Sequence, residues 1–417
     1  MMFGKIGGSV ALLVISGSAA ASGFALIEQS GSGLGNAFAG GAASAEDAST
    51  IFYNPAGMSR LSGKQIVVAD SMIRPSAQFS DAGSVAAAGR PFGGATGDAG
   101  GWVSVPNGYF SMELNQKMHV GLGINAPFGL QTQYDPNWVG RFQAVSSKIQ
   151  TINLNPSASY QVNDKVSVGA GLNYQHINAE LSSIKNIGGL AEGLSSMKGS
   201  DSAWGYNLGA LFDTGSGGRL GVSYRSSIRY TLQGNSYTSS PIPLPGTNVF
   251  TPISASLKTP DTLSVSYFRT LGDKWDVMTD VTRTGWSSFN ELRIVQASNG
   301  STLAVTPENW KNTWRVSLGG NYHYSECWTA RMGLAYDQSP VADAYRTARI
   351  PDANRTWLSI GGQYNPNKQD ALDFGYAHLF VNSASINQNQ AAAGAGNLVG
   401  TYANSGDILS LQYAHNF

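Results

Sequence analysis

A closed, membrane-spanning barrel of antiparallel β-strands is the fold this sequence predicts, and three observations predict it. Residues alternate apolar and polar with a period of two through the C-terminal two-thirds of the chain, the pattern of strands with one apolar face. The polar face of those runs holds Gly, Ser and Asn rather than Lys and Glu, and only 12% of the 417 residues are charged, about half the usual share of a soluble protein. Aromatic residues collect at the ends of the runs, at Tyr160, Trp204, Phe212, Tyr267, Trp275, Tyr322, Trp328 and Tyr364, where a transmembrane barrel places its interfacial girdles.

From the N-terminus, residues 1–21 read as a secretory signal peptide. They carry Lys5, an apolar run from Val10 to Ile15, and a small-residue stretch ending at Ala21. The run falls short of the ~20 apolar residues of a membrane-spanning helix. Residues 22–62 differ in composition: Gly and Ala dominate, Glu28, Glu46 and Asp47 are present, Lys is absent and the only Arg is Arg60. Small residues suit a segment folded into a confined lumen, and an unfilled lumen of this size would leak. The apolar side chains of Leu26, Ile27, Leu34, Phe38, Ile51, Phe52 and Tyr53 argue against a free tail. This segment is expected to be a small, partly helical hatch.

Residues 63–417 form the barrel. In residues 166–174, Val166, Val168, Ala170, Leu172 and Tyr174 share one face; Trp328, Ala330, Met332, Leu334 and Tyr336 repeat the pattern. Short polar links join the runs at 115–117, 163–165, 215–218, 272–274, 325–327 and 367–369, the tight turns that antiparallel neighbours need. Between them lie longer links rich in Gly, Ser and Pro. Six short turns, with both ends of the sheet on the same side, give fourteen strands.

The last strand, Leu409, Leu411, Tyr413, His415 and terminal Phe417, resembles the C-terminal strand of bacterial outer-membrane barrels. A wider resemblance runs from residues 23–40 (Gly23-Phe24-Ala25-Leu26-Ile27-Glu28-Gln29 onward) through Ala45-Glu46-Asp47-Ala48-Ser49 and Asn54-Pro55-Ala56-Gly57. It continues in Trp138-Val139-Gly140-Arg141, Ile152-Asn153-Leu154-Asn155-Pro156, Thr284-Gly285-Trp286-Ser287-Ser288, and Ile350-Pro351-Asp352 with Arg355-Thr356-Trp357. In order and spacing the chain resembles the long-chain fatty acid transporter family (FadL/TodX type). The resemblance implies a fourteen-stranded barrel plugged by an N-terminal hatch. It implies passive uptake of hydrophobic molecules across the outer membrane of a Gram-negative bacterium, without a cofactor. The ligand would land in a groove between two extracellular loops, pass to a lumenal pocket, and leave sideways where the third strand kinks inward.

Residues can be set against that route. Asn54, Pro55 and Ala56 are a turn signal that the resemblance makes the hatch motif. Ala126, Pro127, Phe128 and Gly129 interrupt the third strand: Pro127 cannot donate to a ladder and Gly129 permits a bend. In residues 182–200, Ile184, Ile187, Leu190, Leu194 and Met197 recur at three- and four-residue spacing, which suggests a short amphipathic helix. With Leu244, Val249 and Phe250 of the next long loop, Ile187, Leu190, Leu194 and Met197 are the groove candidates, being apolar side chains in surface loops. A carboxylate ligand needs a cation inside. Strand parity points Arg225, Arg229, Arg315 and Arg331 into the lumen, and the family motif offers Arg141; pairing with Asp280, Asp373, Glu46 or Asp47 is the structural alternative for each.

Other classes fit less well. With 26 basic and 26 acidic residues, the chain lacks the cationic excess of a nucleic-acid binder. One cysteine, Cys327, permits neither an internal disulfide nor a Cys-rich zinc site, and no metal is expected. The five histidines are scattered without a serine motif, so an outer-membrane lipid enzyme is not expected. A polar-solute porin is disfavoured by the hatch and the apolar loops, whereas an aromatic hydrocarbon remains an alternative ligand to a fatty acid. The expected partners are a hydrophobic small molecule and outer-membrane lipid and lipopolysaccharide, around a monomer.

Overall fold

A computed structural model describes residues 22–95, 97–242 and 244–417; the expected signal peptide lies outside them. Fourteen antiparallel strands close on themselves. They are β1 (Lys64–Asp81), β2 (Val103–Asn115), β3 (Met118–Asn125, resumed at Gly129–Gln133), β4 (Ser146–Asn163), β5 (Val166–Ile187), β6 (Ala191–Gly215) and β7 (Gly218–Arg225, resumed at Arg229–Thr238). There follow β8 (Phe250–Lys258 with Thr262–Leu271), β9 (Trp275–Thr284 with Glu291–Gln296), β10 (Thr302–Pro307 with Thr313–His323) and β11 (Trp328–Asp337). The last three are β12 (Arg355–Tyr364), β13 (Asp370–Val381 with Ala384–Asn389) and β14 (Asn397–Asn416). Each strand pairs with its predecessor, and β14 closes the cylinder on β1 in a register running from Gln65↔Asn416 to Asp81↔Gly400.

The six short turns sit where the sequence places them. The Asn115 side chain accepts from the amides of Lys117 and Met118, and Asn163 and Asn367 do the same two and three residues on. Such turns satisfy backbone donors locally, so the next strand starts without a loop. The lipid-facing residues are those predicted by alternation: Leu172, Leu318, Met332, Ile360 and Leu411 are all exposed. Ring pairs Trp275–Tyr322 and Trp328–Tyr364, each 4.6 Å apart, mark the short-turn rim. Tyr174–Trp204, at 4.9 Å, marks the other.

One element differs from expectation. Residues 182–200 are not a helix but the tip of the β5–β6 hairpin, in register from Ser182↔Ser196 to Ile187↔Ala191. Gly188 and Gly189 both adopt positive φ, 60° and 74°, the conformation of a tight hairpin turn that an α-helix cannot contain. The apolar spacing was coincidental; the glycine pair was the informative feature.

Residues 22–62 fill the lumen, with short helical turns at Leu34–Asn36, Thr50–Tyr53 and Pro55–Arg60. Arg331 holds this segment through Glu46 at 2.9 Å and the Ser32 carbonyl, while also pairing with Asp373 of the wall at 3.0 Å. Gln412 accepts from the Gly31 amide and donates to Asp47. Asn54 caps the turn that follows by accepting from the Ala56 amide, and its Nδ2 donates to Ala42 and to Ala210 of the wall. Wall glycines allow the plug backbone to approach closely. A Cβ at Gly333 would lie 2.2 Å from the Asn36 carbonyl carbon, and one at Gly209 would lie 1.9 Å from the Asn54 side chain. Gly333→Val is therefore expected to displace the plug, at a cost of roughly 1–3 kcal/mol. It should raise ion conductance in planar bilayers above the wild-type level; unchanged conductance together with an unchanged melting temperature would refute this close fit.

Candidate functional site

The third strand leaves the wall where its sequence changes. β3 pairs with β2 up to Ile124↔Gly108. Beyond that point the β2 residues 103–107 pair only with β1. Instead of returning to β2, the Asn125–Gly129 segment bonds to the plug. The Leu26 amide donates to the Pro127 carbonyl at 2.8 Å and the Gly129 amide to the Phe24 carbonyl at 2.9 Å. Gln29 grips Ala126 at both ends, Nε2 donating to its carbonyl and Oε1 accepting from its amide. Pro127 supplies an acceptor without leaving a donor unpaired. On the β2 side, Asn107 donates to the Glu28 carbonyl and Tyr109 to the Gln29 carbonyl. Plug residues 26–29 thus floor a break in the wall between β2 and β3.

Above the plug the lumen becomes apolar. Phe24 packs against Trp286 (4.7 Å between ring centroids), Trp310 (5.7 Å) and Phe128 of the third-strand kink (5.9 Å). A cavity of about 90 Å³ lies over this cluster, walled by side chains such as Leu130, Ile149, Leu232, Ile253, Leu257 and Phe289. At a neck formed by Leu181, Met197, Leu292, Ile294, Glu308 and Arg349 it meets an extracellular vestibule of about 640 Å³.

In β7 a strand interruption turns apolar residues inward high in the barrel. Between the two segments of β7, Ser226 exchanges hydrogen bonds with the Tyr206 backbone and Thr259 with the Ile228 backbone. The parity slips there, so Tyr230 and Leu232 turn inward. Arg229 consequently faces out and is exposed, correcting the expectation that it faces the lumen. A one-residue slip exchanges the faces of everything beyond it.

The other candidate cations are engaged. Arg141 pairs with Glu192 at 2.8 Å among the extracellular loops. Arg225 binds the Asn173 side chain and the Phe52 carbonyl. Arg315 donates through Nη2 to the Ala37 carbonyl of the plug at 2.9 Å, its Nε and Nη1 making no hydrogen bond among the described residues, and Arg331 makes the plug contacts given above. Sequence reasoning missed Arg349, which directly precedes the Ile350-Pro351-Asp352 motif. Its Nη1 donates to Ser146, Ser147 and Ser182, while Nε and Nη2 make no hydrogen bond among the described residues. Burial pushes its pKa down to about 10, which still leaves it charged at neutral pH. Nearby Glu308 accepts from Trp310 Nε1 at 2.9 Å; burial pushes its carboxyl up to about 7.

The groove candidates separate. Met197 lines the neck and Ile187 is buried, whereas Leu190, Leu194, Leu244, Val249 and Phe250 stay exposed on the outer loops. No group of three or more His, Cys, Asp or Glu side chains able to hold a metal occurs among the described residues.

Comparison with known proteins bears on this route. The family model described as outer membrane protein transport protein (OMPP1/FadL/TodX) matches residues 12–417. The chain is 28% identical to the long-chain fatty acid transport protein of Escherichia coli K12, over 93% of this chain and 94% of that one. It is 32% identical to the 47 kDa outer membrane protein of Pasteurella multocida, over 88% and 90%. Among solved structures, a Pseudomonas aeruginosa FadL homologue superposes with a TM-score of 0.87 at 27% identity, covering 95% of this chain and 100% of that one. The Ralstonia pickettii toluene transporter TbuX shares the fold, with a TM-score of 0.68 at 17% identity over 95% and 99%.

Proposed function

The chain belongs to the OMPP1/FadL/TodX family of outer-membrane transporters of hydrophobic compounds, and from that premise we propose that its ligand is a long-chain fatty acid. The observation that carries this reading is Arg349, a cation with free donors at the neck of an otherwise apolar cavity. A carboxylate at the neck would take those donors while the acyl chain enters the cavity. Each buried CH₂ is favoured by ~0.8 kcal/mol, so a long chain prefers such a site to water by on the order of 10 kcal/mol.

The cavity is smaller than a whole acyl chain, so the chain must thread onward past Phe24 and Phe128. Their rings stand between the cavity and the break beside β2. Sideways exit there delivers the ligand to the bilayer without crossing water. Transport of this kind runs down a gradient and needs no cofactor. A second reading, uptake of an aromatic hydrocarbon, draws on the cluster of Phe24, Trp286, Phe289 and Trp310, which would suit a flat ring.

Uptake by cells that depend on this chain separates the two: labelled palmitate should enter, and toluene should not compete with it. Entry of labelled toluene, with no palmitate entry, would overturn the fatty-acid reading in favour of the second. The exposed loop residues are proposed to capture ligand first. Leu190→Ala, Leu194→Ala and Phe250→Ala together should slow uptake of dilute palmitate several-fold, at roughly 1.5–3 kcal/mol of apolar contact per side chain when fully buried. Barrel melting should not change. Unaltered uptake would remove these residues from the landing surface.

A further inference from the structure

The outer wall carries a groove whose floor faces away from the lumen. It measures about 560 Å³ and crosses β4 to β8 above the extracellular girdle. Its floor consists of residues paired across the strands. One row is Lys148↔Glu180↔Lys198↔Asn235, and the next is Gln150↔Asn178↔Ser200↔Gln233. Directly paired residues point to the same side of a sheet, and these share their side with Ile152, Tyr174 and Trp204 lower on the same strands, all exposed to lipid. Lys198 and Ser200 lie six and four residues above Trp204. At ~3.3 Å per residue and a tilt of ~45° this sets them roughly 9–14 Å above the girdle, at the level of lipid head groups.

Charge and chemistry narrow the occupant. Lys198 pairs with Glu180 at 2.9 Å, while Lys148 makes no ion pair among the described residues. Arg229 and Lys258, in register with each other, add two cations on the same face. The acid on this floor is Glu180. Between the cations stand amide and hydroxyl side chains, which suit sugar hydroxyls. At the top the stacked rings of Tyr237 and Phe250, 4.8 Å apart, offer an apolar ledge. A bare acyl chain gains nothing from such a floor.

We propose that this groove binds the phosphorylated sugar head group of a lipopolysaccharide of the outer leaflet, its acyl chains lying down the wall past Tyr174 and Trp204. One phosphate takes Lys148 and another takes Arg229 lower on the same face, the sugars lie on the amide rows, and the apolar band below continues the site into the bilayer. Anionic lipid heads are held by such clusters of cations at a membrane surface, and the attraction is screened by salt.

The test uses the full mature chain in detergent, titrated with purified lipopolysaccharide, with the same material after dephosphorylation, and with phosphatidylglycerol vesicles. Wild type should bind lipopolysaccharide, and Lys148→Ala/Arg229→Ala should bind it at least about tenfold more weakly. Dephosphorylation should weaken wild-type binding to a similar degree. Palmitate uptake by this variant should match wild type, so a failure here is separate from a failure of the transport reading. Equal affinity of variant and wild type, undiminished binding after dephosphorylation, or equally tight binding of phosphatidylglycerol would each overturn the proposal.

Discussion

Rebuilding the third strand as a continuous one is expected to cut fatty-acid uptake by more than about tenfold while leaving binding in the upper cavity within twofold of wild type. The segment is held away from β2 by four hydrogen bonds to the plug: Leu26 to Pro127, Gly129 to Phe24, and one in each direction between Gln29 and Ala126. Each contributes on the order of 1 kcal/mol. Pro127→Val restores a backbone donor, Gln29→Ala releases both groups of Ala126, and Gly129→Val removes the bend. A Cβ at Gly129 would also meet the Leu26 side chain at 2.9 Å, pushing the segment off the plug. The freed groups then find partners on the unpaired edge of β2. With the wall sealed, the remaining exit leads through water, where exposing a long chain costs on the order of 10 kcal/mol. The combined variant should retain palmitate in the purified protein yet fail to deliver it to cells. Wild-type delivery by a variant with the β2–β3 ladder complete, seen as slowed amide exchange at residues 125–129, would rule out the sideways exit.

Arg349→Ala should weaken palmitate binding by about ten- to a hundredfold, the range of a charge-assisted hydrogen-bonded pair worth roughly 1.5–3 kcal/mol. Methyl palmitate, which carries no charge, should bind the two proteins alike. Equal losses for acid and ester would mean that Arg349 only shapes the neck. Glu308 adds a pH dependence whose sign follows from its burial. Its carboxyl titrates near 7 in the folded chain against 4.5 unperturbed, so it is largely neutral below pH 7 and charged above. A charged Glu308 beside Arg349 opposes a ligand carboxylate, so palmitate affinity should fall as pH rises through 7, and Glu308→Gln should flatten that profile. Stability changes in the same direction. The folded state holds the proton more tightly, so stability from this group is present below 4.5 and is lost as pH rises from 4.5 to about 7. A titration curve identical in Glu308→Gln and wild type would dismiss Glu308 from both effects.

Much of the architecture was legible because a lipid-facing wall constrains each residue separately. Hydrocarbon outside demands an apolar side chain at every second position, and each short turn demands an Asn, Asp or Gly, as at Asn115, Asn163 and Asn367. Above the bilayer that demand lapses, and reading failed there in two places. Residues 182–200 looked helical by spacing, but cross-strand partners such as Ser182↔Ser196 decided for a hairpin. Arg229 was placed by a parity that the break after Arg225 reverses. Arg349 escaped notice because nothing local distinguishes it from Arg346 three residues earlier, whose guanidinium is taken by Asp343 and the carbonyls of Asp352 and Ser385.

By itself, then, the sequence determined the strand count, the turns, the lipid face and the segment that fills the lumen, since these follow from period, composition and local turn chemistry. Only the tertiary structure decided which face each strand shows above its breaks, and that the third strand bonds to Phe24, Leu26 and Gln29 rather than to β2. It also decided which arginine stands at the neck of the apolar cavity. Those outcomes depend on partners from 20 to 203 residues away competing for the same backbone groups and charges, and such a competition leaves no trace in the spacing of neighbours along the chain.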